Sequence, residues 1–436
     1  MGCAGAVEWS IVRNSCQYFY HGSGFPGSAF AAEICGVQMT SLLAPVRPIQ
    51  RLTATGEFWY TKGMQTKIVF GQPSWKIATK NVEAYLTQTG GHLGPVTFKL
   101  GKRKIQPFSI APWWNENLDK SNPDIIRVLR GDFFCMPFGG NGTAYKGEKH
   151  PVHGEVANAK WKLEQTGPGK LHASLRTKVR RGRVDKHVAL RAGQTAIYQQ
   201  HVVSEMTGPI SLGHHAMLFF QSPGVISTSK FVHGQVFPGE FEKPAEGGYQ
   251  SFKPGAEFTS LERIPQISGE LADLTHYPAR RGFEDLVTIV SDASVPFAWT
   301  AVTFPKERYV WFALKDPRVL RETVFWLSNG GRHMPHWSSR HVNVMGLEEI
   351  TGYFHYGVAE SAQDNAFKRR GYPTAVQLNP RQPTVINYIM AVAAIPAGFD
   401  KVASVEPIPG GVELRAESGK HVRAEVDVNF LQAVAP

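Results

Sequence analysis

Alternation of apolar and polar residues between tight turns is the feature that most constrains the fold of this chain. Residues 82–100 (VEAYLTQTGGHLGPVTFKL) alternate on both sides of a Gly-Gly pair, and residues 187–204 alternate around Ala-Gly-Gln. Residues 412–428 form a third such segment, with a turn at Glu-Ser-Gly-Lys. A period of two places successive side chains on opposite faces of a strand, so these three segments are predicted β-hairpins.

The remainder of the 436-residue chain supports an all-β fold. Its 43 glycines and 29 prolines supply turns for many short strands. Helical periodicity is rare, and the segment 316–327 (DPRVLRETVFWL) matches it best, with Asp316 as the N-cap and Pro317 at the first helical position. We therefore predict a large antiparallel β-sandwich with few short helices, formed by residues 39–436 as a single domain. Residues 1–38 lack strong periodicity and are predicted to be a loosely ordered N-terminal extension.

Charge and cysteine content restrict the partners and the location. The formal net charge of +11 includes a basic run at residues 176–183, but no nucleic-acid-binding motif accompanies it, so no nucleic-acid partner is predicted. The positive charge would suit an anionic small substrate. No apolar stretch reaches the roughly 18 residues of a membrane span, so no membrane partner is predicted. The four cysteines have no paired spacing, and the first residues do not have the pattern of a signal peptide, which favours a cytoplasmic location.

Four segments contain the candidate functional residues. The first, residues 129–142 (LRGDFFCMPFGGNG), leads from an Arg-Gly pair through an apolar strand to a glycine-rich loop. The second, residues 150–161 (HPVHGEVANAKW), places a His-Gly pair before a tryptophan. The third, residues 211–220 (SLGHHAMLFF), begins an apolar strand with two histidines, and the fourth, residues 329–357, is rich in His, Arg and Trp and has two adjacent glutamates. The second segment alone is compatible with a metal site or with one wall of a sugar pocket.

Taken in order, these segments resemble the galactose mutarotase-like superfamily, which contains the aldose 1-epimerases and the hexose-phosphate mutarotases. The resemblance lies in the order and spacing of an Arg-Gly strand ending in Pro-Phe-Gly, the His-Gly motif, the paired histidines and a Gly-Leu-Glu motif. It covers roughly residues 65–360. It implies a mutarotase-type β-supersandwich that binds a monosaccharide or a sugar derivative, neutral or anionic, without a cofactor or a metal, and it implies nothing about the oligomeric state.

The resemblance also implies roles for individual side chains. Glu348 is the expected general base, and His215 or its neighbour His214 is the expected general acid, in the proton exchange that opens and closes a pyranose ring. His153 is expected to hydrogen-bond the sugar near its ring oxygen. The other expected substrate-binding residues are Arg130, Arg332, Trp337 and Asp285.

Strand alternation separates the adjacent glutamates and the adjacent histidines. If residues 343–350 form a strand, Glu348 shares a face with a glycine, whereas Glu349 lies on the opposite face. The glycine leaves room for a ligand, which favours Glu348 as the functional carboxylate. His214 and His215 also face opposite sides, and the motif alignment favours His215.

Two other functions are compatible with the residues. A metal-dependent enzyme of the cupin type would use His150, His153 and Glu155 with a distant histidine, although alternation places the first two on opposite faces of any strand. A non-catalytic carbohydrate-binding protein of the same fold is the other alternative, because a fold does not determine a function. A carboxylate and an imidazole that face each other across one pocket, about one sugar ring apart, would distinguish catalysis from binding alone.

Overall fold

The described part of the chain consists of antiparallel β-sheets with only short helices. The structure is a computed structural model that describes residues 66–435, so the predicted all-β class is confirmed. The predicted extension, residues 1–38, lies outside the described residues, as do residues 39–65 of the predicted domain. The division of the chain into these two parts therefore stays a prediction.

The described residues form 28 strands. The first half, in chain order, comprises β1 (Lys67–Val69), β2 (Gln72–Ala78), β3 (Val82–Thr87), β4 (Leu93–Leu100), β5 (Arg103–Ile105), β6 (Asp132–Cys135), β7 (Lys162–Gly167), β8 (Lys170–Thr177), β9 (Gly182–Leu190), β10 (Ala196–Ser204), β11 (Gly208–Ile210), β12 (Leu212–Phe219), β13 (Gly224–Thr228) and β14 (Phe231–Val236). The second half comprises β15 (Glu257–Phe258), β16 (Ile264–Pro265), β17 (Leu271–Ala272), β18 (His276–Tyr277), β19 (Phe283–Ser291), β20 (Ala298–Phe304), β21 (Tyr309–Lys315), β22 (Glu322–Asn329), β23 (Val344–Thr351), β24 (Val376–Leu378), β25 (Thr384–Ala394), β26 (Val402–Ile408), β27 (Gly411–Ala416) and β28 (His421–Ala424).

The helices of the described part are short. The α-helices are α1 (Asp124–Val128), α2 (Val358–Ala362) and α3 (Ala366–Arg369), and the 3-10 helices are Glu155–Ala157, Pro244–Glu246 and Val428–Gln432. Within residues 66–435, none of them has the length and apolar character that crossing a membrane requires.

Two large sheets pack face to face and enclose the main core. The first sheet has the strand order β1-β2-β3-β4-β6-β12-β23-β22-β19-β14-β15, with β5 paired to β4. The second has the order β18-β13-β20-β21-β25-β10-β9-β8-β7. Buried residues of both sheets, among them Phe98, Phe134, Trp311 and Tyr388, form one continuous core between them, as in a β-sandwich.

Each large sheet is also covered on its outer face. A small sheet of β26, β27 and β28 packs on the second large sheet. On the first large sheet, α1, α3 and the long loops contribute a separate aromatic cluster that includes Trp113, Phe133, Trp326, Phe354 and Phe367. The outer face of the first sheet is therefore covered in its middle by short helices and loops rather than by another sheet.

The strands confirm the predicted hairpins and overturn the predicted helix. The hairpins β3–β4, β9–β10 and β27–β28 coincide with the three alternating segments, although β9 and β27 begin before the predicted bounds. The prediction of a helix at residues 316–327 was wrong, because its second half belongs to strand β22. That strand is buried on both faces, and its apolar residues 324–327 are consecutive rather than alternating. The Asp316 carboxylate accepts the backbone N–H of Arg318, so it caps a single turn rather than a helix.

Candidate active site

A cavity of about 210 Å³ lies on the outer face of the first sheet. We call it the outer-face cavity. Its floor is formed by β6, β12, β23, β22 and β19, which contribute Phe133, His215, Glu348, Trp326 and Leu286. Its walls come from α1 and the loops, which contribute Ile125, Ile126, Leu129, Val152, His153, Phe241, Arg332, Trp337 and His355. The volume is below the roughly 300–1,000 Å³ of pockets for drug-sized molecules, so the outer-face cavity suits a single small ring.

Neighbouring strands bring an imidazole and a carboxyl group into contact on the floor of this cavity. Strands β12 and β23 are antiparallel and pair Gly213 with Ile350 and Ala216 with Leu347, so His215 lies across from Glu348. The Nε2 atom of His215 is 3.1 Å from Oε1 of Glu348, and both side chains are buried. The alternation of β23 thus turns Glu348 into the cavity, on the face that the sequence analysis favoured. The two groups are in direct contact, closer than the one-ring separation expected of a catalytic pair.

A glycine on the same face makes this contact possible. A Cβ atom on Gly346 would lie 2.6 Å from Oε1 of Glu348, closer than non-bonded atoms approach. The missing side chain therefore leaves the space in which the carboxyl group lies beside the imidazole. Any larger residue at this position would displace Glu348 or the neighbouring Trp326, whose Cβ lies 3.2 Å from the same point.

Burial controls the protonation of the pair. Desolvation raises the pKa of Glu348 well above its ordinary value and lowers the pKa of His215 well below it. Both shifts favour the neutral forms, a protonated carboxyl group on Glu348 and an uncharged imidazole on His215, so the shared proton of the pair belongs to Glu348. Within residues 66–435, neither Oε2 of Glu348 nor Nδ1 of His215 has a hydrogen-bond partner. Both groups therefore retain unused hydrogen-bonding capacity.

A second imidazole pair lies beside the first. The Nε2 atoms of His153 and His355 are 3.1 Å apart, and the ring of His153 is 5.1 Å from that of His215. The N–H of Gly139 donates to Nδ1 of His153 at 3.4 Å, so Nε2 of His153 carries the proton and donates to His355. Burial lowers the pKa of both rings, that of His355 to about 4, so both are neutral at pH 7.

The His-Gly motif owes its form to backbone geometry. His153 and Gly154 both adopt positive φ angles, 57° and 77°. A Cβ atom on Gly154 would lie 1.9 Å from the carbonyl oxygen of Met136, so only glycine fits. The positive φ angle of a non-glycine residue such as His153 costs on the order of 1–3 kcal/mol, and backbone strain of this kind is concentrated at functional sites. The turn directs the His153 ring into the outer-face cavity.

The ligand set considered for a cupin-type metal site is not formed. His150 pairs with Glu148, with 2.9 Å between Nε2 and Oε2, whereas His153 lies in the outer-face cavity. The Glu155 carboxylate accepts the backbone N–H of Lys178, at 2.9 and 3.0 Å from its two oxygens. Over the described range 66–435, no group of three or more His, Cys, Asp or Glu side chains is arranged to hold a metal ion.

Arg332 lies among aromatic rings at the wall of the cavity. Its guanidinium carbon is 4.5 Å from the ring centre of Trp337 and 5.3 Å from that of Trp326. Its Nε and Nη2 atoms are 2.7 and 2.6 Å from Oε1 of Glu242. The charge of Arg332 is thus compensated, and Nη1 is its nitrogen without a partner among the described residues.

Two further residues predicted for the site face away from the cavity. His214 points into the core between the sheets, where Nδ1 is 3.0 Å from Oδ2 of Asp132. Asp285 accepts hydrogen bonds from the N–H and the hydroxyl of Ser251 at 2.8 and 2.6 Å. Each of the two precedes a cavity residue by one position, so strand alternation turns it to the other side.

Arg130, also predicted to bind the substrate, instead anchors the backbone. Its fully buried guanidinium donates to the carbonyl groups of Val128, Val69 and Phe70 at 2.9–3.0 Å. The last two carbonyls lie about 60 positions earlier in the chain, so the sequence contains no local sign of this role. All three of its side-chain nitrogen atoms therefore donate to backbone carbonyl groups, two of them at the end of strand β1.

We therefore expect Arg130→Lys to reduce stability. A lysine cannot reproduce the forked geometry, and each hydrogen bond to a charged group contributes about 1.5–3 kcal/mol, so the free energy of unfolding should fall by at least that amount. Urea denaturation measures the change. The control is Arg176→Lys at an exposed position, which should stay within about 0.5 kcal/mol of the unsubstituted protein. An Arg130→Lys variant of unchanged stability would contradict the anchoring role.

A larger groove of about 870 Å³ lies on the second sheet. Two of its polar side chains pair with each other: Nε2 of His172 is 2.7 Å from Oδ1 of Asp185, and the neighbouring Arg183 donates to both oxygens of the same carboxylate. The ring of His187 stacks on that of His172 at 4.1 Å. The smaller outer-face cavity, with its unpartnered acid–base atoms, is therefore the candidate active site.

Sequence reasoning missed His355 and the apolar wall of the cavity. His355 follows β23, the strand that carries Glu348, and this proximity to a predicted functional strand was the available signal. Ile125, Ile126 and Leu129 have no such signal, because apolar residues in and after a short helix are usually part of the core.

Comparison with known proteins supports the fold. No protein-family model matches the chain, and no curated protein matches it. Among solved structures, a candidate aldose 1-epimerase of Escherichia coli K12 matches with a TM-score of 0.52 and 12% identity, over 74% of this chain and 100% of that one. A second, from Klebsiella pneumoniae subsp. pneumoniae, matches with a TM-score of 0.50 and 12% identity, over 74% and 80%. The chain therefore shares the fold of these two solved structures, which is the fold that the resemblance implied.

Proposed function

We propose that this protein is an isomerase of the aldose 1-epimerase type, which interconverts the anomers of a monosaccharide or a sugar derivative. The contact between His215 and Glu348 on the floor of the outer-face cavity carries the proposal. Mutarotation needs one group that takes a proton and one that gives a proton, and this pair supplies both from a single shared proton. The fold, which is also that of candidate aldose 1-epimerases, supports the same reaction class.

The reaction conserves the number of protons on the pair. The neutral imidazole of His215 takes the proton of the anomeric hydroxyl while the carboxylic acid of Glu348 protonates the ring oxygen. The electrons of the O–H bond form the carbonyl group, and the bond between C1 and the ring oxygen breaks. Rotation of the aldehyde and the reverse transfers then give the other anomer. If the shared proton crosses the 3.1 Å contact first, Glu348 is the base and His215 the acid, which is the assignment implied by the sequence resemblance.

The remaining polar groups of the cavity orient the ring in this proposal. Nδ1 of His355 would bind an oxygen atom near the reacting carbon, and His153, which lies next to His215 and contacts Nε2 of His355, would orient the His355 ring. The ring of Trp337 supplies a flat apolar surface, and Nη1 of Arg332 supplies one donor beside it. Holding the ring in this way places its reacting atoms within reach of the acid and the base, which accounts for much of enzymatic rate enhancement.

The rate of catalysed exchange should be flat across neutral pH. In acid, a second proton on His215 removes the acceptor, and its lowered pKa moves that loss of activity to lower pH. In alkali, ionisation of Glu348 removes the donor, and its raised pKa moves that loss to higher pH. An exposed pair would lose its last proton near the ordinary histidine pKa of about 6.5. A pH–rate profile whose alkaline half-point lies near that value would contradict the buried pair.

NMR exchange between α and β anomers tests the proposed function. The panel contains neutral, phosphorylated and acidic aldoses, and the spontaneous rate is subtracted for each. We expect catalysed exchange above the spontaneous rate for at least one aldose. Saturable binding of aldoses with no exchange above the spontaneous rate would instead establish a non-catalytic carbohydrate-binding protein.

A further inference from the structure

The outer-face cavity is unusually apolar for a site that would bind a sugar. Nine of its fourteen lining residues are hydrocarbon or aromatic: Ile125, Ile126, Leu129, Phe133, Val152, Phe241, Leu286, Trp326 and Trp337. Helix α1 and the residue that follows it supply three of the aliphatic side chains. The hydroxyl-bearing edge of a pyranose in this cavity would therefore contact apolar side chains over much of its length.

Most polar atoms of the cavity already have protein partners. Both ring nitrogens of His153 are engaged, by Gly139 and by His355. Two of the three nitrogens of Arg332 are paired with a carboxylate, and Nε1 of Trp326 donates to Glu284 at 3.0 Å. Apart from the acid–base pair, few donors or acceptors remain for a ligand.

The acid–base pair is itself committed to the reacting atoms. His215 and Glu348 would engage the anomeric hydroxyl and the ring oxygen, so they cannot also serve the other hydroxyl groups. A hexopyranose has four further hydroxyls, and the remaining free atoms, Nη1 of Arg332, Nε1 of Trp337 and Nδ1 of His355, cannot satisfy them all. A hydroxyl group that leaves water for an apolar wall without a partner opposes binding.

We propose that the outer-face cavity selects cyclic aldoses that are poor in hydroxyl groups, namely deoxy sugars and sugars with an apolar substituent. This inference rests on the proposed function and names its substrate class. Ile126, on α1, is one specificity-determining residue, because its side chain is half-buried at the cavity wall. An apolar pocket discriminates against an added hydroxyl by about 10²-fold, which sets the scale of the expected preference.

The test compares sugars that differ by one hydroxyl group. NMR exchange gives kcat/KM for D-galactose against its 6-deoxy form, and for D-glucose against its 2-deoxy and 6-deoxy forms, with the spontaneous rate subtracted. We expect the preferred deoxy sugar to exceed its parent by about 10- to 100-fold. Tryptophan fluorescence titration measures the affinities of the same sugars, since Trp326 and Trp337 line the cavity.

A polar substitution tests the wall directly. Ile126→Asn places a donor and an acceptor in the wall, so the preference should shrink towards unity through faster turnover of the hydroxylated parents. Ile68→Asn, at an exposed position of β1, adds the same group outside the cavity and should leave the preference unchanged. Equal effects of both substitutions would overturn the role of Ile126.

The two proposals fail in different ways. If the hydroxylated parents exchange and bind as well as their deoxy forms, this inference is overturned while the proposed function stands. If no sugar exchanges above the spontaneous rate but the deoxy forms bind more tightly, the proposed function fails and the selectivity is supported. If no sugar exchanges and the deoxy forms bind no better, both are overturned.

Discussion

Glu348→Gln should slow catalysed anomer exchange by about 10²–10⁴-fold, the usual contribution of a general acid–base group. The amide keeps the shape of the carboxyl group but neither ionises nor passes a proton to His215. The stability of the protein should change little, because the carboxyl group is already neutral in the cavity: burial raises its pKa. Anomer exchange measured by NMR, with binding measured by fluorescence titration, separates turnover from affinity.

The matched control is Glu205→Gln. Glu205 is exposed and paired with Arg176, so this substitution makes the same chemical change outside the cavity. Its exchange rate should equal that of the unsubstituted protein. A Glu348→Gln variant that retains full exchange activity would remove Glu348 from the mechanism.

Glu349→Gln should have the opposite phenotype, a loss of stability. Oε2 of Glu349 lies 2.5 Å from Nζ of Lys315 in the core between the sheets. The hydroxyls of Thr300 and Thr323 donate to the same carboxylate at 2.6 Å. Removing one partner of a buried ion pair costs about 3–5 kcal/mol, because the other charge is left uncompensated. Urea denaturation measures the loss.

A second substitution tests the cause of that loss. Lys315→Met together with Glu349→Gln removes both charges, so it should recover much of the stability lost by Glu349→Gln alone. At temperatures where it stays folded, Glu349→Gln should still catalyse exchange. Unchanged stability of the single variant would show that the two charges do not depend on each other.

Polar residues on the core face of the floor strands help to fix the register of those strands. Asp132, His214 and Glu349 each lie one position from a cavity residue and point into the core. Asp132 also accepts from the side-chain amide of Gln199, on the second sheet, at 2.6 Å. A slip of one residue in any of these strands would exchange the cavity face for the core face. Polar pairs across the core therefore disfavour such slips and hold the acid–base pair in register.

The alternation of apolar and polar residues along single strands was the feature of the sequence from which part of the fold could be predicted. It predicted the three hairpins, and it placed Glu348 and Glu349 on opposite faces of the strand that became β23. It failed at residues 316–327, where the strand is buried on both faces and has no alternation to detect. The helix prediction therefore rested on Asp316 and Pro317, which are typical of a helix N-terminus but here belong to a single turn.

The site was predicted only where a motif coincided with strand geometry. His153, His215 and Glu348 meet in the outer-face cavity, as do Arg332 and Trp337. Their roles remain part of the proposed function. The other three predicted residues lie elsewhere because their partners are distant in the chain or because alternation turns them to the core; they are Arg130, His214 and Asp285. Such long-range partners leave no pattern in a single sequence.

The central claim is that His215 and Glu348 act as one acid–base pair, and the double variant tests it most directly. Anomer exchange is measured by NMR for His215→Gln, for Glu348→Gln and for the two together, with the spontaneous rate subtracted. Residues that act as a unit give grossly non-additive losses. The double variant should therefore be about as slow as the slower single variant. If the two losses multiply instead, or if neither single variant is impaired, the two side chains do not share the proton that the proposed reaction requires.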